Sequence, residues 1–588
     1  MRNRGLILTM LLLLFSLSTL AQNTPYHLKL LAVQENGGNY TGSDADLYLE
    51  LIPGSGRVFL ETYPLTKMDT QISTRFAKQI ACSHFKLHCE KYDFIYTIKA
   101  KSNIIGGPSA GAAIAALTTI AVKDLSYQED ITITGTINSG GIIGPVGGVK
   151  QKLEAASQAG LKEVLIAQGA SQDLVSNETS AELIAYAQEN LSLKVEEVAD
   201  LDEVLLHLTG KNLSTGKPTI LENSAYTKIM HSLQQVLCAR TDKIKKDLAE
   251  DDFNATKELE ESVEQKQQSA ENASQQGDYY SAASFCFGNN INLKTEFYDQ
   301  KNISRQSYAR LLELVERKNT ALEIRLDQEE IATISDLQAY SIVKERIKEV
   351  QQQLEKFRSK EIKPMEWAYT LAYAEERYFS AVSWMQFFEM DGQKFSLNRE
   401  VLQTSCQEKI SESEERQQYA ALFLGDQPLQ SIDEKINVAK EALKQEEYTL
   451  CLITAAQAKA EANAILSTMG VSEENFPLFL ESKKRAVEKV IAENSAEGIF
   501  PILGYSYYEY AAAFQEGEQK YTALLYLEYA LELSDLQIYF PEEKSYLQQQ
   551  WGRIYLSSKA AYFISGVLCG GVLVVVLGML LRKKKHHH

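Results

Sequence analysis

Basic charge, histidine, tryptophan and proline are all scarce in this chain. Lys and Arg number 60 against 78 Asp and Glu, a formal net charge of −18 over 588 residues. Phosphate backbones are held by clustered cations, so no nucleic-acid partner is expected. Of eight histidines, three are the terminal His586–His588, which leaves few for a hydrolase built on an imidazole base. Apolar residues make up an ordinary 45%, too few for a polytopic membrane protein. A phosphate loop is also missing. Thr209–Thr219 (TGKNLSTGKPT) sets five residues between Gly210 and Gly216 and follows Lys217 with Pro218, where the signature needs four and a Ser or Thr. Neither ATP nor another cofactor is expected.

The two ends are apolar. Arg2 and Arg4 precede the run Leu6–Leu20, and Ala21 offers a small residue for cleavage, so residues 1–21 read as a signal peptide. Ala561–Leu581 is uncharged and long enough to span a bilayer. The basic tail 582–588 follows and sets the tail inside. The expectation is a single-pass cell-membrane protein with its bulk, catalytic part included, extracytoplasmic. Seven cysteines suit that placement. Cys82 and Cys89, with His84 and His88 between them, are open to a disulfide, to free thiols and, third, to a metal site.

Residues 22–208 alternate strand and helix patterns, an α/β or α+β domain. Strands are predicted over 27–34, 46–52, 57–63, 94–99, 131–137 and 164–167, with Pro53–Gly56 turning between the second and third. Helices are predicted over 73–81, 109–122 and 149–159. A polar linker at 209–221 follows. Residues 222–558 are rich in Ala, Glu, Gln, Lys, Leu and Tyr and read as helix after helix. An aromatic–Ser/Thr–Ala/Leu pattern recurs at Tyr280, Phe379, Tyr448 and Tyr521, which leaves open tetratricopeptide-like pairs or an irregular bundle.

Gly106-Gly107-Pro108-Ser109-Ala110-Gly111 opens an Ala-rich helix. Small neighbours expose the Ser109 hydroxyl, and the free N–H groups of a first helical turn can stabilise an oxyanion; Gly107, Pro108, Ala110 and Gly111 form that turn. Taken alone, a capping serine is the plainer reading. The string also satisfies G-x-S-x-G, which would need His207 or His231 as base.

Gly107–Gly111 resembles the nucleophile motif of the Lon protease proteolytic domain. Thr134-Gly135-Thr136-Ile137, Gly144–Ala156 (GPVGGVKQKLEAA) and Ala159–Ile166 (AGLKEVLI) resemble its later blocks in unbroken register, and Gly56-Arg57-Val58 and Ser73–Ala81 its first hairpin and helix. The resemblance covers roughly residues 40–205. It implies a serine peptidase with Ser109 as nucleophile, Lys152 rather than Lys150 as general base, and Thr134 as hydrogen-bonding support. An ammonium cannot accept a proton, so such a lysine must titrate about 2–3 units below its free value near 10.4. The family's acidic residues before Gly-Pro-Ser and after Thr-Gly are replaced by Gly106 and Thr136. Polypeptide substrates, paired as an added strand along Phe94–Lys99 or an adjacent edge, and a homo-oligomer are implied partners. With no ATPase, ATP-independent cleavage of unfolded chains is expected; the rival is a non-catalytic scaffold retaining the fold.

Overall fold

Alternation of apolar and polar residues dictates the first layer. The computed structural model describes residues 25–540 apart from breaks at 37–38, 106, 169–172, 174, 176–177, 215–219, 221, 251–254, 302, 360–361, 426, 469–475 and 515–518. Strands β1 (Tyr26–Asn36), β2 (Asn39–Pro53), β3 (Val58–Thr66) and β4 (Tyr92–Ile105) form a sheet in the order β1-β2-β4-β3. Leu28, Leu30, Leu47, Leu49, Phe94, Tyr96 and Ile98 point to one face and are buried. That face is covered by α1 (Met68–His84) and α2 (Gly111–Lys123). The other face is open toward β3, where it carries the exposed Phe59 and Tyr63.

The turn 53–56 does not make a hairpin. β4 lies between β2 and β3, antiparallel to the first and parallel to the second. The turn crosses the start of β4 instead, with Gly54 and Gly56 N–H groups donating to Lys91 and Tyr92 carbonyls. Buried Asp93 accepts from Ser55 and Arg57, and those bonds, the Arg57 side chain first, hold its carboxyl down at about 2. β4 therefore has both edges occupied, so a substrate strand cannot pair along Phe94–Lys99; β3 is the adjacent open edge.

The strand expected over 131–137 is interrupted at Gly135. β5 (Ile131–Thr134) joins β8 (Glu163–Ala167) and β9 (Lys194–Val198) in a parallel sheet, while β6 (Thr136–Ile137) and β7 (Ile143–Gly144) form a short ribbon. α3 (Val149–Gln158), α4 (Ser180–Asn190) and α5 (Leu201–Thr209) complete this part. α3 lies directly on β2: a Cβ on Gly42 would come within 1.9 Å of the Gln151 carbonyl oxygen.

Twelve helices follow among the described residues: α6 (Ser224–Glu250), α7 (Lys257–Gln275), α8 (Tyr279–Gln300), α9 (Arg305–Leu326), α10 (Ile334–Arg358), α11 (Trp367–Trp384), α12 (Arg399–Leu424), α13 (Gln430–Lys444), α14 (Tyr448–Thr468), α15 (Phe476–Ala496), α16 (Ile502–Ala512) and α17 (Lys520–Ser534). Tyr280, Tyr448 and Tyr521 each open the second helix of a packed pair, whereas Phe379 lies inside α11. α16 packs on α8 and α17 on α14, so the helices close into a bundle rather than an open stack. The described residues up to Gln393 and from Leu397 to Phe540 form one compact unit.

Cys82–Cys89 is a disulfide, which takes both thiols from any metal. Cys238–Cys286 and Cys406–Cys451 are also bridged, pairs too far apart in sequence to be read from spacing. The expected signal segment 1–21 and span 561–581 lie outside the described residues. Among the described residues no helix is long and apolar enough to cross a membrane. The most apolar, α2, has 13 residues, about 20 Å of rise against a bilayer core of about 30 Å. α14 has the length but carries Lys459 and Glu461. The expected single-pass membrane placement is corrected on this ground, and a membrane-spanning helix is dropped as a partner contact.

Candidate active site

Ser109 sits in the one-turn 3-10 helix Pro108–Ala110 that runs into α2. Gly107 ahead of it has φ +94°, a conformation that residues with a Cβ adopt only under strain. Its N–H donates to Asp69 Oδ2 on α1 at 2.9 Å. The Gly111 N–H closes on the Pro108 carbonyl, and Pro108 has no N–H, which leaves the Ser109 N–H at the open end of the turn. Ser109 itself is partly exposed.

Gly135 holds this turn from the other side. Its N–H donates to the Ser109 carbonyl at 3.2 Å, and its carbonyl accepts from Ala112 at 3.1 Å. The break between β5 and β6 is thus what ties the serine turn to the sheet. Thr134, next to it, is 1% exposed, and its hydroxyl has no hydrogen-bond partner among the described residues. Leaving a buried hydroxyl unpaired costs about 1–3 kcal/mol.

From β6 the chain runs through residues 138–142 into β7, whose Gly144 pairs with Thr136, and then into α3. Asp173 Oδ1 accepts the Val149 N–H at 3.1 Å and caps that helix. Lys152 lies in its first turn and is 3% exposed. No carboxylate pairs with it among the described residues. Burial lowers its ammonium to about 8, with the charge of Asp173 opposing. Lys150, two residues earlier, points elsewhere: it pairs with Glu178 at 2.5 Å, and that hydrogen bond raises it above the ordinary lysine value. The structure brings Ser109 and Thr134 to one backbone frame through Gly135 and joins Lys152 to that frame through the ribbon β6–β7.

Neither histidine suits an α/β-hydrolase triad. His207 Nδ1 lies 2.8 Å from Glu163 Oε1 at the start of β8. Glu163 stands opposite Ile131, and the Ser109 turn attaches beyond Thr134, about 10 Å further along the strand. His231 is on α6, its ring tilted against that of Tyr279.

The helical region also reaches this site, which the sequence did not announce. Buried Arg416 donates to the Ile137 carbonyl at 2.7 Å, and the Gly147 N–H donates to the Tyr419 hydroxyl at 3.1 Å. Burial raises the Tyr419 phenol to about 12. Both residues are on α12, with Glu412 and Lys409 on the same stripe. A stripe of buried charged residues is the one available signal, and helical periodicity shows it without showing what it faces.

Residues 80–210 match the family model of the Lon protease (S16) C-terminal proteolytic domain. This segment is similar to Lon-type proteolytic domains. Similar proteins include a Lon protease of Syntrophomonas wolfei, 35% identical over 20% of this chain and 13% of that protein. An archaeal Lon protease of Archaeoglobus fulgidus is 33% identical over 18% and 15%, and a Lon protease of Methanosphaera stadtmanae is 30% identical over 31% and 22%. The chain thus spans less than a quarter of these relatives' length. The family likeness supports a serine peptidase for the Lon-type segment; the helices from α6 onward lie outside the matched model.

Proposed function

We propose that the chain is a Ser–Lys peptidase in which Ser109 attacks the peptide carbonyl and Lys152 takes its proton. The observation that carries this is the burial of Lys152 with no ion pair among the described residues, so that burial outweighs the charge of Asp173. At pH 7 an ordinary lysine is neutral in about one molecule in 2,500, whereas one titrating near 8 is neutral in about one in ten. Lys150, held charged by Glu178, lacks that capacity. The Ser109 N–H, with Ala110 beside it and Gly107, Pro108 and Gly111 shaping the turn, faces the developing oxyanion. The unpaired Thr134 hydroxyl is available to the reacting pair. The serine oxygen bonds to the carbonyl carbon, the amine leaves with the proton held by Lys152, and water activated by the same lysine frees the acyl-enzyme.

The substrate is an unfolded or flexible polypeptide that adds along β3, whose last pairs, Leu65 with Ile104 and Thr66 with Ile105, end just before the serine turn. Exposed Tyr63 and Leu65 lie on that strand. Cleavage is endoproteolytic and needs no ATP. Three disulfides suit an oxidising environment.

Titration of the full chain with an active-site serine reagent, read by intact mass, tests this together with digestion of unfolded casein without ATP. Labelling at Ser109 that is lost in Ser109→Ala and Lys152→Ala, with casein cleavage, is expected. A folded protein that neither labels nor cleaves is a scaffold instead.

A further inference from the structure

The segment 137–147 joins Gly135, which holds the Ser109 turn, to α3, which carries Lys152. Its own domain contributes the two-residue ribbon, a bond from the Ile143 N–H to the Ala199 carbonyl at 3.0 Å, and the burial of Ile137 and Ile143 in the core. The helical region holds it at four points. Arg416 donates to the Ile137 carbonyl at 2.7 Å, and the Ser139 hydroxyl donates to Glu532 at 3.0 Å. The Gly140 N–H donates to Asp535 at 3.3 Å, and the Gly147 N–H to Tyr419 at 3.1 Å. Apolar packing runs the same way. Ile142 is buried in a cluster with Val487, Ile491 and Leu531, and a Cβ on Gly140 would meet Leu531 and Val490 at 2.9 Å.

We propose that α12 supplies positioning residues to the peptidase site, with Arg416 and Tyr419 fixing the two ends of the segment that sets Lys152 against the serine turn. This rests on the reading of Ser109 and Lys152 as the reacting pair. Both holds are made to backbone groups, so they fix chain position whatever the side chains of 137–147. The first is buried and the second part-buried, where an unpaired partner is costly and the bond is correspondingly strong. A shift of about 1 Å in a reacting pair is enough to lose about a hundredfold in rate. The helical region is then part of the site's frame, not a spacer behind it.

The test uses the full chain and three variants: Tyr419→Phe, Arg416→Met and Arg416→Lys, the last keeping a donor. Gln418→Ala, exposed on the same helix, is the control. Hydrogen exchange of peptides spanning 135–153 is measured beside the rate of Ser109 labelling against pH. Tyr419→Phe and Arg416→Met are expected to speed exchange there at least tenfold. They should slow labelling at least tenfold and move its pH midpoint upward, as water reaches Lys152. Arg416→Lys restores part of both, and Gln418→Ala changes neither. Exchange equal to wild type overturns the proposal whatever the labelling does. Faster exchange with unaltered labelling rate and midpoint also overturns it, because the contacts are then structural only. A wild-type chain that never labels at Ser109 sinks the reading of the site instead, and the exchange arm still judges the clamp.

Discussion

The Ser139 hydroxyl donates to the Glu532 carboxylate at 3.0 Å across 393 residues of chain. Glu532 is buried between Lys409 and Lys459, 3.1 and 3.3 Å away. Burial pushes its carboxyl upward, but the two ammonium groups outweigh it and hold the group at about 2.

Glu532→Gln leaves Lys409 and Lys459 with Glu412 as their one remaining ion-pair partner among the described residues. Breaking such a pair costs about 3–5 kcal/mol. The expected outcome is that loss in denaturant unfolding of the purified variant. The sign with pH follows from the lowered value: Glu532 stabilises the fold above about 4.5, and this contribution disappears as pH falls from there to about 2. Acid unfolding of wild type but not of the variant should show that component.

Ser109 labelling should follow the neutral form of Lys152. Its rate is expected to rise about tenfold per pH unit below 7 and level off above about 8. A rise continuing to pH 10 would mean an ordinary lysine is the base.

Lys152 is a destabilising residue. Its folded value lies below the unfolded one of 10.5, so the folded chain is penalised at pH 7, and the penalty fades as pH rises from about 8 to 10.5. Lys152→Met is expected to abolish labelling while raising stability at pH 7 by up to about 3 kcal/mol. Lys150→Met, by contrast, removes only a part-exposed ion pair with Glu178, and should leave the labelling rate within about twofold.

Cys238–Cys286 joins α6 to α8 and Cys406–Cys451 joins α12 to α14, closing 48 and 45 residues. Chain-entropy arguments give about 4 kcal/mol for each. Reduction under native conditions is expected to lower the thermal midpoint and, through α12, to slow Ser109 labelling; calorimetry with and without reductant checks the first.

The peptidase part was legible wherever short-range pattern decides structure. The alternations of 27–34, 46–52 and 94–99 are strands, and Gly160 ends α3 in the left-handed conformation that its place predicts. Sheet order was not legible, because β4 inserts between β2 and β3 through pairings that no local signal specifies. Ser109, Thr134 and Lys152 stood out by their motifs, yet Lys152 and Lys150 are alike in composition and differ only in burial and in the reach of Glu178. The contacts of Arg416, Tyr419, Glu532 and Asp535 with Ile137, Gly147, Ser139 and Gly140 were not legible, because those partners lie hundreds of residues away. The Tyr280, Tyr448 and Tyr521 pattern marked real helix starts but not the closure of the bundle.

The anchoring of Gly140 by Asp535, 395 residues later, bears on the order of synthesis. A ribosome adding about 5–20 residues per second needs roughly 20–80 s to travel that distance. For that interval the serine turn and α3 have both left the ribosome while the segment between them lacks the last of its holds. On the proposed reading of Ser109 and Lys152, the emerging chain passes its infancy with that pair unassembled, and it gains a cutting edge only when α17 docks.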